Sequence, residues 1–276
     1  MGRNDGIMYD KTDTIIDSHV HVYPDELALK TYQKLSEVGG NVEDSVIGNL
    51  KALNEMMSRL NINKVIVQHI ATKPESVDDV MDFALSIKND KILAFAPLHP
   101  FEENIFSRIG AVKKQGFLGI KLHPYFQRFG MDDRALYPFF EAAESAELPV
   151  LIHAGKDHMY YDINASDPED IAKVQKDFPS LKIIAAHMGG MLMSSEAQKH
   201  IIGSRIYIDT ALSYKLIPKR VFSQMIKDHD PDRILFASDF PWSDPQKEIN
   251  NIKSLDISDD LKQKIFCKNA VKLYDI

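Results

Sequence analysis

Eight short apolar runs, each followed by a stretch of helical character, set the narrowest limit on what this chain can fold into. They cover residues 14–20, 64–70, 92–98, 118–122, 149–153, 182–187, 205–209 and 233–238. Their apolar residues are continuous rather than alternating, which is the pattern of strands covered on both faces by helices in a parallel sheet. The intervening segments supply the helices. Residues 44–60 place Val46, Leu50, Leu53, Met57 and Leu60 on one helical face, and residues 75–88, 102–115 and 133–146 follow the later runs in the same way. Ser166-Asp167-Pro168-Glu169 reads as a capping box that starts a helix running towards Asp177. Further helices are expected over 215–229 and, opening at Ser258-Asp259-Asp260, over 258–274. Eight strand–helix units over residues 14–276 predict an α/β fold, a single-domain (β/α)8 barrel of TIM type, with the polar residues 1–13 as a disordered leader. An open doubly wound sheet would normally carry a Gly-rich turn after its first strand, where this chain has histidines.

The first run closes on Asp17-Ser18-His19-Val20-His21. Side chains two apart on a strand share a face, so His19 and His21 can converge on one metal ion. Barrel enzymes keep their chemistry at the C-terminal strand ends. Seven of the ten histidines fall at or just past such ends: His19, His21, His69, His99, His123, His153 and His187. The eighth run ends in Ser238-Asp239-Phe240-Pro241-Trp242 and adds a carboxylate, while the fourth carries Lys121 and His123 on one face.

Composition narrows the partners. A net charge of −7 without any run of Lys or Arg argues against nucleic acid and anionic membrane surfaces, which leaves a small molecule. The single cysteine, Cys267, excludes an internal disulfide framework, and a cytoplasmic protein is expected. No run approaches the length of a membrane span. A homo-oligomer is left open.

His-x-His on the first strand, His on the fifth and sixth and Asp on the eighth resemble the amidohydrolase superfamily, and the surrounding sequence is similar to its amidohydrolase-related branch of hydrolases and non-oxidative decarboxylases. The closing Lys268-Asn269-Ala270-Val271-Lys272-Leu273 is similar to that branch as well. Lys121 stands where the related metal-dependent deoxyribonucleases usually have a glutamate, which counts against a nuclease. The resemblance implies one divalent metal, zinc foremost and manganese as an alternative, on His19, His21, His153 and Asp239. His187 and Asp239 would be the catalytic groups. Asp17 would support the ligands or replace one of them. In two-metal members a carbamylated lysine bridges the ions, so a second site on Lys121 and His187 is the alternative. Substrate contacts are expected from Lys121, His123, Arg128, Tyr160 and Trp242, with Lys121 or Arg128 suited to an anionic group. The first expectation for the reaction is hydrolysis of a small amide, lactone or ester by metal-activated water. The alternatives are non-oxidative decarboxylation of a small carboxylated aromatic or unsaturated acid, and a catalytically silent binding protein.

Overall fold

All eight apolar runs become short parallel strands in the computed structural model, which describes residues 14–37, 44–160 and 163–276. The proposed leader lies outside the described residues. The strands are β1 (Ile16–Val20), β2 (Lys64–Gln68), β3 (Ile92–Phe95), β4 (Ile120–Leu122), β5 (Val150–Ile152), β6 (Ile183–Ala185), β7 (Tyr207–Asp209) and β8 (Ile234–Leu235). Two ladders, β1-β2-β3 and β4 through β8, are joined by parallel bridges at Ala96↔Ile120 and Val20↔Phe240. At the second seam Ser18 N–H donates to Phe236 O at 2.9 Å and Asp239 N–H to His19 O at 2.8 Å. These bonds close a (β/α)8 barrel and bring the first and last strand ends side by side.

Alternation along each strand explains the continuous apolar pattern. Outward residues such as Val65, Val67, Ile120, Leu122, Val150, Ile152, Ile208 and Ile234 pack against the helices. Inward residues Ile16, Ile66, Phe95, Leu151, Ile184 and Leu235 fill the barrel floor, together with Ala270, Leu273 and Tyr274 of the C-terminal helix. Above this apolar floor the next inward positions are Lys121, His153 and Asp209. In β1 the register moves from Asp17↔Val65 to Val20↔Val67, so one extra residue bulges out at the His19-Val20-His21 motif.

Several local expectations need correction. The expected helix over 44–60 begins only at Leu50, because Asn49 caps it by accepting the Ala52 N–H at 2.9 Å. Val46 is consequently exposed in a preceding loop rather than on a buried face. A helix at Asp25–Glu37, with Asp25 and Glu26 in its first turn, was not anticipated. The helix at Pro168–Asp177 is capped by Asp167, which accepts the Glu169 N–H, while Ser166 turns its hydroxyl to His153 O. The C-terminal segment is helical from Asp259 to Tyr274, with a π turn at Lys264–Lys268. Among the described residues no helix is long and apolar enough to cross a membrane.

Candidate metal centre

His19, His21 and Asp239 meet at the seam between β1 and β8. His19 Nδ1–H donates to Asp209 Oδ2 at 2.8 Å, and His21 Nδ1–H donates to the carbonyl of Gln68 at 2.8 Å. A carboxylate and a carbonyl can only accept, so each imidazole is held with its Nε2 lone pair turned inward. The two Nε2 atoms are 3.2 Å apart, and Asp239 Oδ1 stands 3.2 Å from that of His21 and 3.6 Å from that of His19. Lys121 Nζ donates to His19 Nε2 at 3.3 Å.

A second pair is built by the same rule. His187 Nδ1–H faces Ala211 O at 3.3 Å and His153 Nε2–H faces Lys156 O at 3.2 Å. The remaining nitrogens, His187 Nε2 and His153 Nδ1, confront each other at 3.1 Å. The His187 ring centroid lies 5.4 Å from that of His19, so both pairs belong to one cluster. Lone pairs that face one another repel unless a cation lies between them. Nitrogen and carboxylate donors arranged in this way fit a divalent ion of the zinc or manganese kind.

The electrostatics agree with this fit. Burial, reinforced by the Lys121 cation, holds His19 well below the usual imidazole range. Burial does the same for His153 and His123 and also lowers His187. These imidazoles are therefore neutral at physiological pH, the form that ligates. Asp239 is pushed up by its own burial and drawn down by the imidazoles around it, His21 foremost, which together leave it below the usual carboxylate value. Burial lowers Lys121 to about 8, opposed by Asp209 and Asp239.

His123, His153 and Asp157 also bring potential ligand atoms within 4.8 Å of one another, as do His19, His21 and Asp239. The His123 and His153 rings, however, are stacked, with centroids 4.3 Å apart and planes 21° from parallel. Imidazole lone pairs lie in the ring plane, so those of two stacked rings run alongside each other instead of converging on one ion. We read His123 and Asp157 as a polar pair beside the centre, not as a second set of ligands.

Of the residues expected to contact substrate, Lys121 and His123 are buried in the cluster. Tyr160 stacks on Tyr125 at the wall, with centroids 5.9 Å apart. Trp242 lies 6.2 Å from Tyr23 at the rim. Arg128 is exposed and ends the short helix Pro124–Gln127 with a left-handed φ of 59°. Gln127 points inward instead, with its Oε1 accepting the His123 N–H at 2.8 Å. Its amide donates to Ala71 O and Leu98 O, each at 3.0 Å, and so ties three strand ends together. Asp17 accepts the Ser238 N–H at 3.0 Å and the His19 N–H at 3.3 Å, which places it behind the bulge. His69 turns outward against Phe83. Sequence reasoning missed Asp209. Besides holding His19 it accepts the His187 N–H at 2.8 Å, and its position at the end of the seventh run was the available signal.

Comparison with known proteins extends this picture. The chain matches the Amidohydrolase family model (Amidohydro_2) over residues 16–276. No curated protein matches it. Among similar solved structures is a dihydroxybenzoic acid decarboxylase from Polaromonas sp. JS666 with bound manganese and the inhibitor 2-nitroresorcinol. It is 17% identical, with 95% of this chain and 97% of that chain covered and a TM-score of 0.71. Another is 5-carboxyvanillate decarboxylase from Novosphingobium aromaticivorans DSM 12444, complexed with manganese and 4-hydroxy-3-methoxy-5-nitrobenzoic acid, at 17% identity, 97% of each chain and a TM-score of 0.66. A 2,6-dihydroxybenzoate decarboxylase from Rhizobium is 16% identical over 95% of this chain and 99% of its own, with a TM-score of 0.68. At these identities the shared property is the barrel. The family match runs from the first strand to the last residue, over the same strand ends that gather the histidines and Asp239, and the chain is an enzyme of the amidohydrolase family.

Proposed function

We propose that this enzyme is a metal-dependent, non-oxidative decarboxylase of a small carboxylated aromatic acid, a lyase rather than a hydrolase. Lys121 carries the reading: a lysine only 1% exposed, whose hydrogen-bond partner among the described residues is an imidazole and which has no carboxylate in ion-pair contact. A buried ammonium that feels Asp209 and Asp239 only from beyond ion-pair distance calls for an anion in contact with it, and a substrate carboxylate would provide one. The similar solved structures named above, decarboxylases of aromatic acids, support the same choice.

A divalent ion on His19, His21, His153 and Asp239 would supply a Lewis acid against which the acid is fixed. Lys121 binds the carboxylate, and Tyr125, Phe126, Tyr160 and Trp242 wall in the ring. The bond between ring carbon and carboxyl breaks, carbon dioxide leaves, and the electron pair stays on the ring carbon. Asp239 delivers a proton to that carbon and regains one from solvent. His187 keeps its Nε2 lone pair facing inward and can hold a proton beside the reacting carbon.

The test is incubation with manganese or zinc and hydroxylated benzoates, next to lactones, amides and esters. Expected are carbon dioxide release and, in heavy water, deuterium at the vacated carbon. Turnover of a lactone or amide without carbon dioxide would overturn the reading in favour of hydrolysis. Lys121→Ala should keep its metal and raise KM for the acid about tenfold or more, with little change in kcat. Loss of metal from this variant would instead indicate a bridging lysine.

A further inference from the structure

His123 belongs to neither inward-facing nitrogen pair, yet it is among the most carefully held side chains of the mouth. It follows Lys121 by two, just past the end of β4, and continues the inward face. Its ring is clasped on both sides, by Phe126 with centroids 3.9 Å apart and planes 8° from parallel, and by His153 at 4.3 Å. No ligand can stack on a ring whose faces are both covered, so only its edge can make a polar contact. On that edge Nε2 stands 3.7 Å from Asp157 Oδ2, while Nδ1 is buried without a hydrogen-bond partner among the described residues. Asp157 is itself fixed, its Oδ1 accepting the Met159 N–H at 2.7 Å. Gln127 anchors the His123 backbone to the ends of β2 and β3. An orphaned ring nitrogen in so braced a setting needs an explanation, because leaving a buried polar atom unpaired is costly.

We infer that His123, backed by Asp157, is a specificity-determining residue that accepts a hydrogen bond from a neutral donor on the substrate, a hydroxyl or N–H group, at His123 Nδ1. This rests on the decarboxylase reading and deepens it. The substrate is then recognised at two points, its carboxylate by Lys121 and its donor group by His123. Asp157 faces Nε2, which favours the tautomer with the proton on that nitrogen and leaves Nδ1 as the acceptor. An acid with an ether or a hydrogen in place of the donor leaves Nδ1 unpaired and should bind more weakly.

The test uses the metal-loaded enzyme and the fluorescence of Trp242, the one tryptophan of the chain, which lies at the rim. Dissociation constants are measured for matched hydroxy- and methoxybenzoates and, separately, for benzoate and benzamide. The wild-type enzyme should prefer one hydroxybenzoate over its methoxy counterpart by about tenfold. His123→Phe keeps a ring in the clasp and should abolish that preference while retaining the preference for benzoate over benzamide. Asp157→Asn, which leaves the stack intact, should weaken the same preference. Metal content and circular dichroism equal to wild type identify folded variants. A hydroxyl preference that survives in both variants would overturn the inference. Absence of the benzoate preference in the wild type, with the hydroxyl preference present and dependent on His123, would overturn the carboxylate reading and leave the role of His123 standing. Absence of both would overturn the two together.

Discussion

At the scale of single residues the centre depends on where protons are kept. Each of its four inward histidines spends one N–H on a fixed acceptor outside the cluster, and that leaves the other nitrogen available as a ligand. Asp209 is the most influential of these acceptors because it orients His19 through one oxygen and the His187 backbone through the other. Asp209→Asn keeps the volume but offers an amide that can present either an acceptor or a donor to Nδ1, so the His19 tautomer is no longer determined. Metal affinity should fall about 10- to 100-fold, the usual effect of losing a partner that orients a ligand. Metal titration monitored by calorimetry checks this, and an unchanged affinity would mean that His19 is not a ligand.

At the scale of elements, loops rather than strands complete the mouth. Gly155, after β5, has a φ of +84° and pairs in a parallel bridge with Met191, after β6. A Cβ there would come within 2.3 Å of the Met191 carbonyl, so glycine alone permits the approach that brings His153 and His187 together. The loop before the helix at Leu50 is laced to the β7 and β8 loops through Asp44. Its carboxylate accepts Lys247 Nζ at 2.5 Å, receives the Tyr214 hydroxyl, and lies 3.3 Å from Lys215 Nζ. The Lys247 and Tyr214 hydrogen bonds push Asp44 down to about 2. A depressed carboxylate stabilises the fold above its unfolded pKa of about 4 and loses that contribution as pH falls through the folded value. Asp44→Asn should therefore cost about 1 kcal/mol near neutrality. The difference should stay constant from pH 7 to about pH 5 and shrink below about pH 4. Urea unfolding of both proteins across that range measures it, and a difference that grows in acid would contradict the assignment.

For the whole molecule, stability and chemistry occupy opposite ends of the barrel. The floor is apolar and is plugged by the C-terminal helix, where Tyr274 meets Phe95 edge to face with ring centroids 5.7 Å apart. Tyr274→Ala removes this buried ring and should cost about 3 kcal/mol or more in urea unfolding. Metal content should be unchanged, because the centre lies at the other end. Metal loss that accompanied retained stability would refute the division.

The sequence by itself determined the number of strands, their order and direction, and the strand ends that carry His19, His21, His153, His187 and Asp239. Such information is local: a continuous apolar run records burial on both faces, and a two-residue spacing records a shared face. It determined less about segments with weak periodicity, such as Asp25–Glu37, where Leu27 and Leu29 remain exposed. Only the tertiary structure decided which atoms meet. Asp209 reaches His19 across 190 residues of chain, and barrel closure brings Asp239 against His21. Arg128 is exposed and Gln127 buried at the end of a helix of a single turn, where Arg128 takes a left-handed φ. Lone-pair directions, tautomers and stacking depend on packing between elements distant in sequence, and no local pattern of residues encodes them.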